Sequence, residues 1–505
     1  VYFRIIERAL ERGEGALVLV PEITLTPQLV RRYRARFGEG LAVWHSGLSD
    51  RERFDQWRLL RSGEARVAVG VRSAVFAPVR DLAVIVVDEE HDTSFKQERG
   101  FPYNARDLAL LRASRASAVA VLGSATPSLE THDNATRGKL HRLVLAHRAT
   151  SLPMPKVEIV DMRRHRSGPG SQRLVSGPLY TAIRETLDRR EQVILFLNRR
   201  GFAPSLTCTA CGEAQKCESC AVSLTLHKRP AELVCHYCGA RRSIPVKCPA
   251  CGSEELRPVG AGTEKAEEIL GALFPTARIA RLDRDVAKGS SAEEILEKLR
   301  CGEIDILVGT QMVTKGHDFP RVTLVGVLLA DVGLHMPDFR AAERSFQLLT
   351  QVAGRAGRSE LGGRALVQTY SPDHASVLAA RTHDFERFAA QELQSRAELG
   401  YPPSGRLVAL RLSGPDLGRV ESAALDLARA IRDARRVSHL DDDVQLLGPA
   451  PAPIAMVQGR HRWRILLRGK RRDELRRVIL SVYDRIESPP SGVRIQLDVD
   501  PVTML

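Results

Sequence analysis

Residues 82–95 read LAVIVVDEEHDTSF and contain the transition that decides the fold. An apolar, largely β-branched run leads directly into three carboxylates and a histidine: Asp88, Glu89, Glu90 and His91. Such a run is typical of a strand buried on both faces of a parallel sheet. Ligands of parallel α/β sheets bind at the carboxyl ends of the strands. The stretch therefore predicts a buried strand that delivers carboxylates to a ligand site.

The same alternation of short β-rich runs and helical patterns occurs twice along the chain. The first set of runs lies at 15–20, 41–46, 65–71, 82–88 and 118–126, and the second at 191–201, 277–283, 305–310, 322–331 and 363–370. Strands that alternate with helical patterns indicate a parallel sheet covered by helices. The sequence thus predicts an α/β protein with two similar lobes.

Three further segments depart from this alternation. Residues 150–178 contain Pro and Gly and are predicted to form the linker between the lobes, and a cysteine-rich insert interrupts the second lobe. After YPPSG at 401–405 the pattern changes to a small α+β region. The expected divisions are lobe 1 at 1–148, linker and start of lobe 2 at 149–206, insert at 207–254, rest of lobe 2 at 255–400 and C-terminal domain at 401–505.

The composition is that of a globular protein and contains no sign of a membrane-spanning segment. The chain has 505 residues, 43% hydrophobic and 27% charged, which is typical of a globular protein of several domains. No apolar run approaches the ~20 residues of a membrane helix, and the first residues form an amphipathic helical pattern without a signal-peptide core. We therefore expect a cytoplasmic protein without a membrane partner.

The chain is strongly basic. Lys plus Arg number 75 against 61 Asp plus Glu, a net charge of +14. A basic balance favours a polyanionic partner such as nucleic acid. Arginine-rich usage from GC-rich DNA explains the same charge equally well.

Eight of the nine cysteines lie between 208 and 251, in four C-x-x-C pairs. Without a secretory signal, this clustering indicates metal rather than disulfides, and a structural Zn²⁺ takes four thiolates. Spacing does not fix the pairing, but symmetry favours a nested arrangement. His227 and His236 are expected to be bystanders, as is Cys301. The predicted ligands are Cys208, Cys211, Cys248 and Cys251 for the first zinc, and Cys217, Cys220, Cys235 and Cys238 for the second.

The acidic cluster suits nucleotide chemistry. Asp88 at a strand end can hold Mg²⁺ through water, and Glu89 can orient the water that attacks a γ-phosphate. The alternative is a solvated strand end. The chain contains no G-x-x-x-x-G-K-[ST] phosphate loop.

An ordered set of motifs accompanies the cluster. They are VLVPEITLTPQ (18–28), VGVRSA (69–74), GSATP (123–127), VGTQMVTKGHDFP (308–320) and QVAGRAGR (351–358). In this order they resemble the superfamily 2 helicases, whose two RecA-like lobes clamp ATP. The resemblance implies a Mg²⁺ and water-activating pair at Asp88 and Glu89. It implies phosphate-side roles for Gln351, Arg355 and Arg358, and coupling of ATP to DNA by Glu90, His91, Ser124 and Thr126.

A narrower resemblance rests on LFLNRRGFAP (195–204) before the cysteine pairs, on DEEHDTSFKQERGFPYNARDLA (88–109), and on the segments 447–469 and 497–501. Together they resemble the PriA family of bacterial replication-restart helicases. The resemblance implies an ATP-dependent 3′-to-5′ DNA helicase that binds abandoned forks, remodels them and promotes primosome assembly. It implies branched and single-stranded DNA, primosome proteins and the single-stranded DNA-binding protein as partners, and the nested zinc arrangement.

In that family the phosphate loop ends immediately before a pair like Val1-Tyr2. We therefore expect the chain to begin just downstream of this loop, to bind ATP poorly, and to be inactive as given. We expect a monomer.

Aromatic and basic side chains interleave after the acidic cluster. Exposed rings stack on bases while cations hold phosphates, although packing of two of the three rings into the lobe is equally favoured. The candidate DNA contacts are Phe95, Lys96, Phe101, Tyr103 and Arg106, with Arg72, Arg199, Arg200, Thr310 and Lys315 at the lobe tops. The basic stretch 459–477 is predicted to hold DNA or an acidic peptide, or to be a solvated face.

Two other functions compete with the helicase. One is a non-catalytic, zinc-containing fork-binding and primosome-loading protein with a degenerate motor. The other is an RNA-dependent ATPase, which the zinc insert disfavours. The paired acidic and arginine motifs favour the active motor.

Overall fold

The computed structural model describes the chain except residues 46, 99, 146–153, 166–173, 198–204, 229, 260–261, 284–290, 311–318, 357–362 and 505, and the side chains of residues 23, 228 and 291. The chain forms two compact units, Val1–His132 and Asp133–Leu505. Among the described residues, no helix combines the length and apolar character that crossing a membrane requires.

The first unit is built on a five-stranded parallel sheet in the order β2-β3-β1-β4-β7. Its strands are β1 Gly15–Leu19, β2 Leu41–Trp44, β3 Val67–Gly70, β4 Leu82–Asp88 and β7 Val119–Gly123, and a small hairpin adds β5 Lys96–Gln97 and β6 Tyr103–Asn104. The helices are α1 Tyr2–Glu11, α2 Pro27–Phe37, α3 Asp50–Ser62 and α4 Ala105–Arg115, with 3₁₀ turns at Glu22–Thr24, Gly38–Gly40, Arg72–Phe76 and Thr93–Phe95. Helix α5 Leu129–Thr136 begins in this unit and contains its boundary at His132. All five predicted sheet strands are present.

The sheet of this unit is buried on both faces, as its apolar runs predict. One core cluster includes Leu17, Ile85 and Phe95, and the other includes Ile6, Val18 and Val86. Because alternate residues of β1 and β4 face opposite clusters, the near-continuous apolar sequence is needed for a sheet covered on both sides. This arrangement leaves only the strand ends for polar chemistry.

The second unit contains a six-stranded parallel sheet in the order β15-β16-β9-β17-β18-β8. Its strands are β8 Lys156–Asp161, β9 Gln192–Phe196, β15 Ile279–Leu282, β16 Ile306–Gly309, β17 Val322–Val327 and β18 Arg364–Thr369. Its helices are α6 Gly177–Asp188, α7 Thr263–Leu273, α8 Ser291–Cys301, α9 Asp331–Leu334, α10 Ala341–Ala356, α11 Ala375–Thr382 and α12 Phe385–Leu399.

The predicted linker at 150–178 is partly wrong. Residues Lys156–Asp161 form the edge strand β8, which pairs in parallel with β18 from Lys156↔Arg364 to Asp161↔Thr369. The alternating sequence KVEIVD is a strand pattern, and its place beside a Pro- and Gly-containing stretch concealed it.

The insert is a five-stranded antiparallel sheet in the order β13-β12-β11-β10-β14. The strands are β10 Ser205–Cys208, β11 Thr225–Lys228, β12 Ala231–Val234, β13 Arg241–Arg242 and β14 Leu256–Val259. β10 and β14 pair with Cys208 opposite Leu256, so the two ends of the insert meet. This pairing brings the outer cysteine pairs together, as the nested arrangement requires.

The C-terminal region has a four-stranded antiparallel sheet in the order β20-β21-β19-β22 with helices, as predicted. Its elements are β19 Arg406–Gly414, α13 Leu417–Val437, β20 Val444–Val457, β21 Arg460–Gly469, α14 Arg472–Ser481, α15 Tyr483–Glu487 and β22 Arg494–Val499. A shared core joins this sheet to the insert and contains Cys220, Cys235, Tyr401, Leu466 and Met504.

The segment 500–504 lies against residues of both α10 and the C-terminal sheet. The guanidinium groups of Arg344 and Arg464 donate to the carbonyl oxygens of Val502 and Met504, respectively. Arg411 donates to the carbonyl of Thr503 at 2.9 Å. We call these three arginines the carbonyl clamp. It connects the end of β22 to the helix that carries Gln351 and Arg355.

Candidate active site and metal centres

Asp88 ends β4 at the carboxyl edge of the first sheet, as predicted. The Tyr2 hydroxyl donates to Asp88 Oδ1 at 3.0 Å, although the two residues are 86 positions apart. Burial raises the pKa of Asp88, while the Tyr2 hydrogen bond acts in the opposite direction. The same desolvation, followed by the charge of Asp88, raises the pKa of Tyr2. The sequence offered no signal for this pair, because nothing local connects the two residues.

Gly123 makes room for this contact. A Cβ at Gly123 would lie 1.6 Å from Tyr2 Oη, so any larger residue would displace the tyrosine. The carbonyl of Gly123 also accepts from the Glu90 amide at 3.1 Å. The strand that leads into GSATP is therefore joined directly to the acidic turn.

The turn after β4 places its three carboxylates in different environments. Glu89 has φ +50°, in the left-handed region that costs energy for a residue with a Cβ. Its carboxylate is half-buried, 3.6 Å from His91 Nδ1. Strained backbone is concentrated at functional sites, which agrees with a catalytic role for this turn.

Glu90 is the centre of a buried network. Its carboxylate accepts from the Ser128 amide at 2.6 Å, from the Ser128 hydroxyl at 3.0 Å, and from Thr131 Oγ1 at 2.9 Å. Arg106 donates to the same carboxylate at 3.2 Å. Burial alone would lower the pKa of Arg106, but the charges of Asp107 and Glu90 outweigh it and raise that pKa. Glu90 thus ties the acidic turn to α4 and α5.

His91 connects the turn to the GSATP loop. His91 Nδ1 lies 2.7 Å from Ser124 Oγ, and that same Oγ accepts from the Thr126 amide at 3.0 Å. Thr126 itself is buried. The four residues predicted to couple ATP to DNA therefore occupy two adjacent strand ends of one sheet. Their coupling role stays a prediction.

Three of the predicted DNA contacts are buried or engaged in other contacts in this structure, so their role stays a prediction that this conformation does not favour. Phe95 is 1% exposed and packs in the core of the first unit, and Lys96 is 6% exposed. Arg106 is committed to the Glu90 network. Interleaved aromatic and basic residues do not reveal which side chains face inward, because a short hairpin can turn either face to the core.

The remaining first-unit candidates have mixed environments. Phe101 is 80% exposed, and Tyr103 is half-buried with its ring 5.2 Å from that of Phe76. Arg72 donates to the backbone carbonyl of Ser94 at 3.2 Å and to that of Lys96 at 2.8 Å, so its guanidinium supports the hairpin.

In the second unit, the structure describes only some of the predicted site residues. Thr310 follows β16 and is 9% exposed, and the half-buried Gln351 and Arg355 lie in the C-terminal part of α10. Four other candidates lie outside the described residues: Arg199, Arg200, Lys315 and Arg358.

A buried polar centre that the sequence did not indicate supports the second sheet. Asp331 accepts from Thr369 Oγ1 at 3.0 Å, from the Tyr370 amide, and from Ser371 Oγ at 3.1 Å. The Ser371 hydroxyl also donates to the carbonyl of Gly212 at 3.0 Å. The turn that contains Cys208 and Cys211 therefore contacts the residues directly after β18.

The eight clustered cysteines form two groups of four, with all sulfur atoms of a group within 4.8 Å of one another. The groups are Cys208, Cys211, Cys248 and Cys251, and Cys217, Cys220, Cys235 and Cys238, which confirms the nested arrangement. Sγ–Sγ separations of 3.7 Å for Cys208–Cys251 and 3.8 Å for Cys211–Cys248 fit a tetrahedron. Zn–S bonds of ~2.3 Å require tetrahedral edges of about 3.8 Å. The cysteine groups therefore fit two structural zinc ions.

The two histidines of the insert serve another purpose. His236 Nδ1 donates to the Pro451 carbonyl at 2.8 Å, and His236 Nε2 lies 3.2 Å from His227 Nε2. Burial lowers the pKa of His236 to about 4, so its ring is neutral at pH 7. The pair connects the insert to β20 and stands outside both thiolate groups.

The second cysteine group is held between the insert and its neighbours. The Tyr401 hydroxyl donates to the Cys220 carbonyl at 3.0 Å. Arg464, 4% exposed, donates from Nε to the His236 carbonyl at 2.6 Å and lies over the Tyr237 ring. Tyr237 in turn accepts from the Phe339 amide at 3.1 Å. This zinc centre is therefore part of the interface with the C-terminal sheet.

Comparison with known proteins extends these observations. The chain matches family models for a DEAD/DEAH box helicase at residues 1–135, the PriA DNA helicase Cys-rich region domain at 217–242, the helicase conserved C-terminal domain at 261–360 and the primosomal protein N C-terminal domain at 397–502. Among solved structures, it is similar to RecG bound to a three-way DNA junction, with 16% identity, a TM-score of 0.43, and coverage of 78% of this chain and 42% of that chain.

Curated relatives align along the whole chain. The replication restart protein PriA of Bacillus subtilis (strain 168) is 42% identical over 509 residues, which cover 100% of this chain and 62% of that protein. The PriA of Treponema pallidum (strain Nichols) is 42% identical over 505 residues, 100% of this chain and 75% of that protein. The chain spans about three fifths of the length of the B. subtilis relative. With its paired sheets, strand-end carboxylates and double cysteine group, the chain belongs to the family of the replication restart protein PriA.

Proposed function

We propose that the full-length protein is an ATP-dependent 3′-to-5′ DNA helicase that binds abandoned replication forks, remodels them and promotes primosome assembly. The proposal rests on the 42% identity to PriA over the whole chain. It is also supported by the contacts that join the acidic turn to the GSATP loop.

The main structural support for an ATP-driven motor is the contact between His91 Nδ1 and Ser124 Oγ at 2.7 Å. A catalytic turn that only held a metal would need no such connection to the neighbouring strand end. Glu89 Oε2 lies 3.6 Å from His91 Nδ1, and Ser124, the partner of His91, also accepts from the Thr126 amide. A bound DNA strand that displaces this loop would therefore also displace His91 and the adjacent carboxylate of Glu89.

The residues at the end of β4 suit Mg²⁺ and a nucleophilic water. Carboxylate oxygens are the donors that this hard ion prefers, and Asp88 presents one at the ligand-binding edge of a parallel sheet. When bound, Mg²⁺–ATP supplies the phosphoryl chemistry. Asp88 would hold the ion, and Glu89 would accept a proton from the water. The role proposed for Gln351, Arg355 and Arg358 is to hold phosphate oxygens.

The remaining parts of the proposal concern partners and organisation. Branched and single-stranded DNA would be the substrates, with primosome proteins and the single-stranded DNA-binding protein as partners. We further propose a cytoplasmic monomer with the five divisions at 1–148, 149–206, 207–254, 255–400 and 401–505.

Glu89→Gln in the full-length protein tests the motor. We expect ATP turnover to fall by about 100-fold or more, because a positioned general base contributes about 10²–10⁴ to the rate. Binding to a forked DNA should persist, because the substitution leaves the DNA-facing residues in place. The measurements are DNA-stimulated phosphate release and fork binding.

The matched control is Glu39→Gln, an exposed carboxylate of the same unit. It should leave both measurements unchanged. Turnover that survives Glu89→Gln would remove Glu89 from catalysis. A wild-type protein that binds forks without any turnover would support the non-catalytic loading factor instead.

A further inference from the structure

Helix α1 places a tyrosine, Tyr2, beside the acidic turn, although no sequence motif assigns it a function. Tyr2, Ile6 and Ala9 are spaced i, i+4 and i+7, so they share the face of α1 that packs on the first sheet. Ile6 and Ala9 are buried, whereas Tyr2 is half-buried in the first turn of the helix. The apolar stripe of α1 therefore begins with a residue that carries a hydroxyl group.

This hydroxyl group contacts the predicted metal ligand. Tyr2 Oη donates to Asp88 Oδ1 at 3.0 Å. The carboxylate of an aspartate rotates easily about its Cβ–Cγ bond, because that torsion has only broad energy minima. A donor on one oxygen restricts this rotation. The contact therefore determines the direction in which Asp88 presents its other oxygen.

The neighbouring strand leaves room for the hydroxyl group. Gly123 is the partner of Asp88 in the parallel pairing of β4 with β7. A Cβ at Gly123 would lie 1.6 Å from Tyr2 Oη and 2.8 Å from Tyr2 Cζ. Even an alanine at this position would displace the ring and break its hydrogen bond to Asp88. The glycine that precedes Ser124 therefore keeps open the position that the hydroxyl group occupies.

Packing alone would explain the same hydrogen bond, since a buried tyrosine hydroxyl usually takes a polar partner. Two observations favour a role at the metal site. The partner is the carboxylate that ends β4 at the ligand-binding edge of the sheet. The hydroxyl group also occupies space that only a glycine on the adjacent strand provides. Hydrogen-bond partners of metal ligands orient those ligands, and their loss typically lowers metal affinity by about 10- to 100-fold.

We propose that Tyr2 is a positioning residue of the Mg²⁺ site and that its hydroxyl group orients Asp88 toward the ion. The inference rests on the proposed helicase function, in which Asp88 holds the ion of Mg²⁺–ATP. Tyr2 acts only through Asp88 and has no contact of its own with the ion. Because the hydroxyl group ties the first turn of α1 to the end of β4, a shift of this turn would alter the metal site.

Tyr2→Phe in the full-length protein removes the hydroxyl group and keeps the ring. We expect the Mg²⁺ concentration for half-maximal ATP turnover to rise about tenfold, with a much smaller change in the rate at saturating Mg²⁺. Mn²⁺ binding in the presence of ADP, followed by electron paramagnetic resonance, should weaken by a similar factor and requires no turnover. The matched control is Tyr33→Phe, which removes a hydroxyl group from the same core cluster and leaves the contact between Tyr2 and Asp88 in place. It should leave both values unchanged.

A role confined to packing predicts a different result. Tyr2→Phe would then lower the thermal stability or the maximal rate while both metal affinities stay at their wild-type values, and this outcome would overturn the proposal. An equal loss of metal affinity in Tyr33→Phe would also overturn it, because the loss would not depend on the contact with Asp88. A wild-type protein that binds Mn²⁺ with ADP but has no turnover would refute the motor, and the Mn²⁺ comparison would still decide the role of Tyr2. A wild-type protein that lacks both would overturn both proposals.

Discussion

At the scale of single residues, Asp88 is a candidate functional group whose burial lowers the stability of the folded protein at neutral pH. Burial raises its pKa, so the folded state binds a proton at Asp88 more tightly than the unfolded chain does. Stability from this residue is therefore greatest below the ordinary pKa of aspartate, about 3.9, and is lost as the pH rises through the raised value.

Asp88→Asn should consequently stabilise the protein at pH 7 in buffer without Mg²⁺ or nucleotide. We expect a gain of ~0.5–2 kcal/mol, which should vanish below about pH 3.9, because the aspartate is then protonated in both states. Thermal unfolding at both pH values provides the measurement. Asp81→Asn, exposed at the other end of β4, should show no such difference, and a loss of stability at pH 7 in Asp88→Asn would contradict the expectation.

The sequence predicted Asp88 and Glu89 at a strand end because the apolar run before them is unambiguous. It did not predict the Tyr2 contact, which joins residues 86 positions apart. It also did not predict the burial of Phe95 or the contact of Arg106 with Glu90, since residue type does not reveal whether a side chain near a hairpin points into the core. Local pattern identifies strand ends, whereas long-range pairing requires the fold.

At the scale of elements, the cysteine pairs determine the insert. Its sheet has short strands of two to four residues, and its core cluster contains Cys208, Cys217, Cys220, Cys235 and Cys248. Strands this short form only a small sheet, so we expect metal ligation to supply much of the stability of the insert.

We expect two zinc ions per chain, one for each group of four cysteines. Cys220→Ala should reduce the metal content to about half, because a closed structural site requires about four thiolates. His227→Ala should keep both ions. Plasma mass spectrometry of the purified protein provides the count.

The two zinc centres should also differ in their effect on the rest of the unit. Cys220→Ala should accelerate amide hydrogen exchange near Tyr401, which contacts the Cys220 carbonyl, whereas Cys251→Ala should not. Equal effects of the two substitutions would contradict a special position for the second group.

At the element level the sequence predicted ten of the parallel strands from their apolar runs and missed β8. That strand carries alternate polar residues because it lies at the edge of its sheet, beside β18 alone. Edge strands are weakly marked in sequence, since only one side is paired.

At the scale of the whole molecule, the carbonyl clamp and the second zinc centre meet at one residue. Arg464 donates both to the His236 carbonyl of the insert and to the Met504 carbonyl. Nothing in the sequence distinguishes Arg464 from the other arginines of the basic stretch, for which a solvated face was one of the alternatives. Its burial follows only from the way the insert packs on the C-terminal sheet.

Arg464→Ala should destabilise both the insert around His236 and the segment around Met504. Two carbonyls lose their donor, at a cost of about 1–3 kcal/mol for each buried group. Hydrogen exchange should accelerate in residues 231–240 and 500–504 alike. Arg460→Ala, an exposed arginine of the same strand, is the control, and unchanged exchange in the insert would contradict the connection.

The shared core of cysteines, Tyr401, Leu466 and Met504 has a consequence for protein engineering. The stretch that matches the Cys-rich family model, residues 217–242, is not a portable module. Transplanted into another scaffold, it would retain its thiolates but leave the hydrophobic side of its second metal centre open to water. A transplanted segment that folds stably would also have to include β19 and β21.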